Sequence, residues 1–339
     1  MKGLNFARKV YRKCERVLCG SNRSDSNPYS WIVRYPEDYT DDYANIDGEA
    51  FSAILQKRIE ERQPTLVTRF GQDVIMCAMA SKNKPTLHNS LLYVTGKRDV
   101  IGMSPWVIYS LPTLSGFFSE SDAKIKQDLY RYGDLINSIV PEIDILATVL
   151  RQERFYAQYL DGIYRCFLPS IEPYRLKNPW TKALKGKCVL VIHPFETTIR
   201  QQYLANRSKL FDDPDVLPDF ELKTIRAVQS IAGNRPPMHK DWFAALEYME
   251  RQIDEIGDFD VAIIGCGAYG MPLGAYVKRL GKVAVHMGGG VQYLFGIKNK
   301  RADEDEDATV RNLYNEAWIR PLPEDTPKGI EKVENGCYW

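Results

Sequence analysis

The sequence lacks the features by which several protein classes are recognised. Its seven cysteines form no C-x-x-C pair and its four histidines are widely spread, which argues against a zinc cluster and against a disulfide framework. No apolar stretch is long enough for a secretory signal or a membrane span. Lys and Arg number 45 against 44 Asp and Glu, so net charge gives no sign of nucleic acid as a partner. We expect a globular, cytoplasmic protein.

The first 30 residues differ from this even balance. In "MKGLNFARKVYRKCERVLCG", Phe6, Val10, Val17 and Leu18 fall on one helical face, and basic residues occupy much of the rest. The pattern predicts an amphipathic helix, followed by a Ser- and Asn-rich linker up to residue 30 and a folded body from about Trp31. A basic amphipathic helix either lies peripherally on an anionic membrane, here the inner membrane, or docks its apolar stripe on the body. The pattern fits both alternatives.

Three segments predict a strand that runs through a turn into a helix. They are "TLVTRFGQDVIMCAMA", "KCVLVIHPFETTIRQQYL" and "FDVAIIGCGAYGMPLGAYVKRLGKVAVHMGGG", the last ending in a further strand at Val283 to His286. Strands that alternate with helices imply a parallel sheet. We therefore expect an α/β, Rossmann-like domain over residues 31–339. It would have a mostly parallel sheet, helices on both faces, and a helical insertion or cap at about 105–175.

Ligands of such sheets bind beyond the carboxyl ends of the strands. The predicted strands place Arg69, His193, the turn at 265–270 and the glycines at 288–290 at that edge. The turn has the G-x-G-x-x-G spacing of dinucleotide sites, but about 70 residues follow it, too few for the rest of a dinucleotide domain, and the next strand ends in His286 rather than an acid. Two alternatives stay open: the glycines let a ligand approach the backbone, or they permit tight packing.

Residues 301–307, "RADEDED", contain five consecutive acidic residues. Such a run could coordinate a hard cation, or it could be a solvated loop. The solvated loop is the commoner outcome for such runs.

Several segments between Thr65 and Trp339 resemble a known family. They read "TRFG", "GKCVLVIHPFETTIRQQY", "LPDFELKTIRAVQSIAG", "DWFAALEYM", "DFDVAIIGCGAYGMPLGAYVKRLGKVAVHMGGGVQYLFGIKNKR" and "GCYW". Together they are similar to a bacterial family associated with surface-polysaccharide clusters and related to the GT-D fold glycosyltransferases. The resemblance implies a glycosyltransferase of hexosyltransferase type, inverting, that uses a nucleotide sugar in O-antigen or capsule biosynthesis.

The GT-D pattern places an acidic D-x-E triplet directly after an Arg-aromatic-Gly turn, where it serves metal and nucleotide-sugar binding. Here Arg69-Phe70-Gly71 is followed by Gln72-Asp73-Val74, so both outer acids are absent. The resemblance thus implies a sugar-nucleotide site that includes Arg69 and Gly71. It leaves dependence on Mn²⁺ or Mg²⁺ open, with Asp73 as a candidate metal ligand.

Sugar transfer expels a diphosphate, whose growing negative charge must be stabilised, and it needs a base for the acceptor hydroxyl. Asp73, His193 and Glu196 are the catalytic candidates, although His193 could instead be an orienting group bonded to backbone and Glu196 a charge that favours its helix N-terminus. The cations that would stabilise the diphosphate are Arg69, Lys298, Lys300 and Arg301, assisted by amides of the turn from Gly267 to Met271. The nucleotide-binding candidates are Arg69, Gly71, Gly265, Gly267, Gly270, His286, Gly288, Gly289, Gly290, Lys298, Lys300 and Arg301.

The expected partners are a nucleotide sugar and a glycan or lipid-linked acceptor, with homo-oligomerisation left open. Two alternatives remain for the function. One is a non-catalytic scaffold or nucleotide-binding protein of the assembly complex, which the altered acidic triplet would suit. The other is a dinucleotide- or S-adenosylmethionine-dependent Rossmann enzyme that uses the turn at Gly265.

Overall fold

The computed structural model describes residues 2–19, 42–97, 100–305 and 307–339. At its centre lies a sheet of seven parallel strands in the order β3-β2-β1-β7-β6-β4-β5. The strands are β1 (Thr65–Thr68), β2 (Ile145–Thr148), β3 (Tyr164–Phe167), β4 (Cys188–His193), β5 (Glu221–Arg226), β6 (Val261–Ile264) and β7 (Val283–His286). The predicted Rossmann-like α/β class is confirmed.

Helices cover both faces of this sheet. They are α1 (Lys2–Cys19), α2 (Gly48–Glu60), α3 (Gln72–Lys82), α4 (Leu87–Val94), α5 (Pro105–Leu114), α6 (Ile125–Ile139), α7 (Ala157–Leu160), α8 (Glu196–Asn206), α9 (Trp242–Glu255), α10 (Gly270–Arg279), α11 (Gly290–Leu294) and α12 (Lys300–Glu304). Short 3-10 turns connect many of them.

Two hydrophobic cores sandwich the sheet because successive side chains of a strand point to opposite faces. Leu66 and Ala262 belong to the first core, with α3, α6, α9 and α10. Val67 and Ile263 belong to the second, with α2, α8 and α11. Strands β1, β6 and β7 are buried along their whole length. Burial on both faces explains why the sequence of β6 is a continuous apolar run rather than an alternating pattern.

The chain leaves the neighbouring strands β4, β6 and β7 toward different faces of the sheet. After β6 it continues into α10 in the first core, whereas after β4 and β7 it continues into α8 and α11 in the second. This divergence opens a crevice at the carboxyl edge of the sheet. Such a switch in direction is where open α/β sheets bind their ligands.

The prediction of a helical insertion at about 105–175 is wrong in part. Helices α5 and α6 lie there, but the same stretch supplies β2 and β3, which pair with each other and, through β2, with β1. β2 is a short, fully buried apolar run, which hydrophobic periodicity cannot separate from a buried helix. The stretch is therefore part of the sheet rather than a cap added to it.

The predicted amphipathic helix at the N-terminus is confirmed as α1. The linker at 20–30 and the start of the body near Trp31 lie outside the described residues. A search of the described helices found none that combines the length and the apolar character needed to cross a bilayer.

Candidate functional site

A cleft of about 940 Å³, its open mouth included, lies at the carboxyl edge where β1, β4, β6 and β7 end. Eight of the predicted site residues line it: Arg69, Gly71, His193, Gly265, Gly267, His286, Gly288 and Gly289. The carboxyl edge thus brings together residues from four separate strand ends.

Arg69 follows β1 and is the cation on the wall of this cleft. Its side chain is half-buried, and within the described part of the chain its guanidinium forms no hydrogen bond or ion pair. Burial lowers the pKa of Arg69, although Tyr338, Asp73 and Glu153 partly offset this electrostatically. Burying a cation without a direct protein partner costs free energy, and an anionic ligand would offset that cost.

His193 ends β4, and its ring is fixed by the backbone that follows. The Phe195 N–H donates to Nδ1 at 2.9 Å, so the neutral ring carries its proton on Nε2. Burial lowers the pKa of His193 to about 3, which keeps the ring neutral near pH 7. In this state His193 is a hydrogen-bond donor toward the cleft rather than a base. Of the two predicted alternatives, the geometry favours the orienting group.

His286 ends β7 and is also held in one orientation. Its Nδ1 lies 2.9 Å from the hydroxyl oxygen of Thr68 at the end of β1. Burial, and then the charge of Arg69, lowers the pKa of His286 to about 3. Among the described residues that line the cleft, Arg69 is the permanent cation, and the neutral imidazole of His286 lies near it.

Protein atoms occupy the space beside the glycines of the G-x-G-x-x-G turn. A Cβ on Gly267 would lie 2.6 Å from the Ser115 carbonyl oxygen, one on Gly265 would meet the Gly288 carbonyl oxygen, and one on Gly270 would meet the His286 ring. Of the two alternatives for these glycines, tight packing accounts for these contacts. Gly270 itself lies off the cleft wall in the described structure.

The amides of this turn are also engaged within the protein. The Ala268 N–H donates to the Ser115 carbonyl at 2.9 Å, and the Tyr269 N–H donates to the Cys266 carbonyl at 3.2 Å. The Gly270 N–H donates to the carbonyl of Gly267. The prediction that the turn offers its amides to an anion is therefore wrong for these three groups.

The predicted acids Asp73 and Glu196 bond to other protein groups and are not among the described cleft-lining residues. Asp73 accepts hydrogen bonds from the Ser115 hydroxyl at 2.6 Å and the Val74 N–H at 2.9 Å, and burial raises its pKa. Glu196 accepts the Thr224 hydroxyl at 2.6 Å and pairs with Arg200 at 3.5 Å. Asp73 thus joins the start of α3 to the loop after α5.

The predicted nucleotide-binding residues Lys298, Lys300 and Arg301 also lie off the cleft wall, as far as the structure describes that wall. Lys298 lies 5.3 Å from the centre of the Tyr314 ring, and Lys300 pairs with Glu304 at 3.7 Å. Arg301 pairs with Glu334 at 2.6 Å and lies over the Tyr338 ring at 4.8 Å. Gly290 is likewise off the wall and packs near Glu172.

The segment 336–339 supplies a wall of the cleft that sequence reasoning missed. Tyr338 and Trp339 both line the cleft. The Trp339 indole N–H donates to the Asp325 carbonyl at 3.4 Å, and its ring lies 5.7 Å from that of Phe195. "GCYW" entered the resemblance, but no local pattern indicated that it folds back on strand ends formed much earlier in the chain. Other lining residues missed by the sequence reasoning are Ser115, Tyr132, Gln229, Ser230 and Gln292.

Glu153 is a further buried group near Arg69. It follows β2, accepts the Val149 N–H at 3.2 Å and bonds to the Thr148 hydroxyl. Burial raises its pKa to about 7, and the charge of Arg69 opposes that rise. The carboxyl therefore lies close to its titration point at neutral pH.

No group of three or more His, Cys, Asp or Glu that could hold a metal ion occurs among the described residues. In the acidic run, Asp303 pairs with Arg320, and Asp307 pairs with Arg175 at 2.8 Å. Glu306 lies outside the described residues. Asp303 and Asp307 therefore neutralise nearby arginines, and Glu304 pairs with Lys300.

The sheet and its cleft define a Rossmann-like α/β protein with a ligand-sized site at a topological switch point. The chain matches no protein-family model, and no curated protein or solved structure matches it significantly.

Proposed function

We propose that this protein is a glycosyltransferase that binds a nucleotide-diphosphate sugar in the cleft. It would transfer the sugar to a glycan or lipid-linked acceptor of a bacterial surface polysaccharide. The observation that carries the proposal is the guanidinium of Arg69, which faces the cleft without a hydrogen bond or ion pair in the described structure. The choice of a sugar-nucleotide ligand rests on the sequence resemblance.

The chemistry explains why this cation matters. In the transfer, the bond between the anomeric carbon and the diphosphate oxygen breaks, the acceptor hydroxyl forms the new bond and loses its proton, and the diphosphate departs with added negative charge. A guanidinium pairs with two phosphate oxygens at once, and its attraction is stronger where water is excluded. Arg69 supplies such a guanidinium, half-buried on the cleft wall, and the Nε2–H of His193 adds a neutral donor.

Aromatic residues give the cleft a second, less polar part. Phe195 and Trp339 lie against each other, and Tyr338 lines the cleft near Gly289. Aromatic faces bind bases and sugar rings by stacking and apolar contact. A ligand with a diphosphate at Arg69 and a ring system on these aromatics would use both parts.

A nucleotide-binding protein without catalytic activity is the second candidate. Its support is the state of the predicted bases, because Asp73 and Glu196 bond elsewhere and His193 presents a proton rather than a lone pair. A dinucleotide enzyme is less well supported, since protein atoms occupy the space beside the glycine turn.

A thermal-shift panel tests the proposal. The ligands are UDP, GDP, dTDP and ADP with their sugar conjugates, pyrophosphate, NAD and S-adenosylmethionine, each with Mn²⁺ or with EDTA. At a hundred times Kd, a ligand adds about 2.7 kcal/mol to stability, a rise of several degrees. We expect a nucleoside diphosphate and its sugar conjugate to protect, and to do so in EDTA because Gln72 and Val74 replace the metal-binding acids.

Sugar release from the protecting conjugate then separates the two candidates. Hydrolysis or transfer supports the glycosyltransferase, and protection without any turnover supports the non-catalytic protein. Protection by NAD or S-adenosylmethionine, with none by a nucleoside diphosphate, would overturn the proposal.

A further inference from the structure

Helix α1 carries an apolar face that points away from the protein body. Phe6 is 70% exposed, Val10 45% and Tyr11 39%, high values for large apolar side chains. At 100° per residue, Phe6 and Val10 lie close together on the helix surface. Soluble helices usually bury such a stripe, so its exposure indicates a surface with a partner.

The polar side of α1 holds it to the body. The Tyr93 hydroxyl of α4 donates to the Asn5 side-chain oxygen at 2.7 Å, and the Arg8 guanidinium lies 4.2 Å from the centre of the Tyr93 ring. Arg8 is buried by this contact. Docking of the apolar stripe on the body, one of the two predicted alternatives, is therefore not observed for Phe6 and Val10, the two stripe residues whose side chains the structure describes. Contact through Asn5 and Arg8 leaves the stripe of Phe6 and Val10 outward.

The charge of α1 identifies the partner. The helix contains six basic residues and one acidic residue: Lys2, Arg8, Lys9, Arg12, Lys13 and Arg16 against Glu15. A second copy would bring an equally basic helix against the first, which repulsion opposes. An anionic bilayer offers both an apolar interior and negative headgroups, and a helix of this kind lies in its interface.

We propose that α1 anchors the protein to anionic membranes. In this arrangement Phe6 and Val10 enter the boundary between headgroups and acyl chains, and Lys9 contacts the headgroups. The arrangement is independent of the reaction in the cleft. It would hold the cleft near acceptors that are attached to lipid.

Vesicle sedimentation of the full chain tests this anchor. The vesicles are phosphatidylcholine alone or phosphatidylcholine with phosphatidylglycerol, and the variants are Phe6→Ser with Val10→Ser, and Lys9→Glu. The control is Leu204→Ser. Leu204 is 76% exposed on α8, so this substitution also removes a surface apolar group. All three altered positions on α1 are exposed, so circular dichroism should show an unchanged fold.

We expect the wild type and the control to bind the anionic vesicles, with affinity that falls as salt rises. The double serine variant should bind at least about tenfold more weakly, and Lys9→Glu should bind more weakly at low salt. Absence of binding to anionic vesicles, or equal binding by the double variant, would overturn the proposal. So would a concentration-dependent dimer of the wild type that the double variant abolishes, since that result would assign the apolar face to a second copy.

Discussion

Replacement of Arg69 by methionine gives the sharpest test of the cleft. Methionine keeps much of the length of the side chain and removes the charge. The guanidinium is partly buried without a hydrogen bond or ion pair to a described protein group, and burial lowers its pKa. The substitution removes that desolvation cost, so the midpoint of thermal unfolding should stay the same or rise.

Ligand affinity should move in the opposite direction. A hydrogen-bonded pair between a guanidinium and a phosphate contributes about 1.5 to 3 kcal/mol, so Kd for the protecting nucleoside diphosphate should rise by about tenfold to more than a hundredfold. The Kd of Arg69→Lys should lie between those of the wild type and Arg69→Met, because lysine keeps the charge but cannot pair bidentately. Arg200→Met is the matched control, since Arg200 pairs with Glu196 outside the cleft.

Isothermal titration with the nucleoside diphosphate measures these affinities, and circular dichroism checks the fold. An unchanged Kd in folded Arg69→Met would refute the assignment of Arg69 to the diphosphate. A large fall in thermal stability would show instead that Arg69 is a structural residue whose charge the fold needs.

Two further predictions concern stability. Gly267 and Gly288 both have a positive φ, 58° for Gly267 and 61° for Gly288. A Cβ added to Gly267 would clash with the Ser115 carbonyl oxygen, whereas a Cβ added to Gly288 would find its nearest neighbour, the Arg69 side chain, 3.8 Å away. Gly288→Ala should therefore cost about 1 to 2 kcal/mol and Gly267→Ala about 1 to 3 kcal/mol more in urea unfolding, and equal losses would contradict the packing described here. Burial raises the pKa of Glu153 from 4.5 to about 7, so this carboxyl stabilises the fold below pH 4.5 and that contribution is lost as pH rises through about 7. As pH rises from 4.5 to about 7, the unfolding free energy of the wild type should fall by about 3 kcal/mol relative to that of Glu153→Gln. A difference between the two proteins that does not vary with pH would show that Glu153 keeps its ordinary pKa.

Local sequence patterns were enough to predict the central strands and the edge where the site lies. The buried runs Val261–Ile264 and Val283–His286 are strands with the predicted bounds, and the strand before Arg69 was also located. In a parallel sheet, the carboxyl ends of all strands lie at the same edge. Arg69, His193 and Gly288 could therefore be placed together without any knowledge of their distances.

Contacts between distant segments decided what each of these residues does. Gly267 has the spacing of a phosphate-binding turn, but the carbonyl of Ser115 occupies the space beside it, and the loop that carries Ser115 lies far away in the sequence. The hydrogen bond from Ser115 to Asp73 and the place of Trp339 on the cleft wall likewise depend on segments that are distant in the sequence. Spacing along a chain records which conformations the backbone can adopt, but not which side chain or carbonyl reaches a site first.

The helix α1 shows the same division. The order of its apolar and basic residues alone predicts a helix with one apolar and one basic face, because the angle between successive residues is a property of the helical backbone. Which face meets the body depends on Tyr93 of α4, whose ring and hydroxyl bind Arg8 and Asn5. The sequence by itself determined the amphipathic helix and the parallel sheet, since both follow from local periodicity. The tertiary structure decided which helix face stays exposed and which residues line the cleft, because those depend on contacts that close only when distant segments pack.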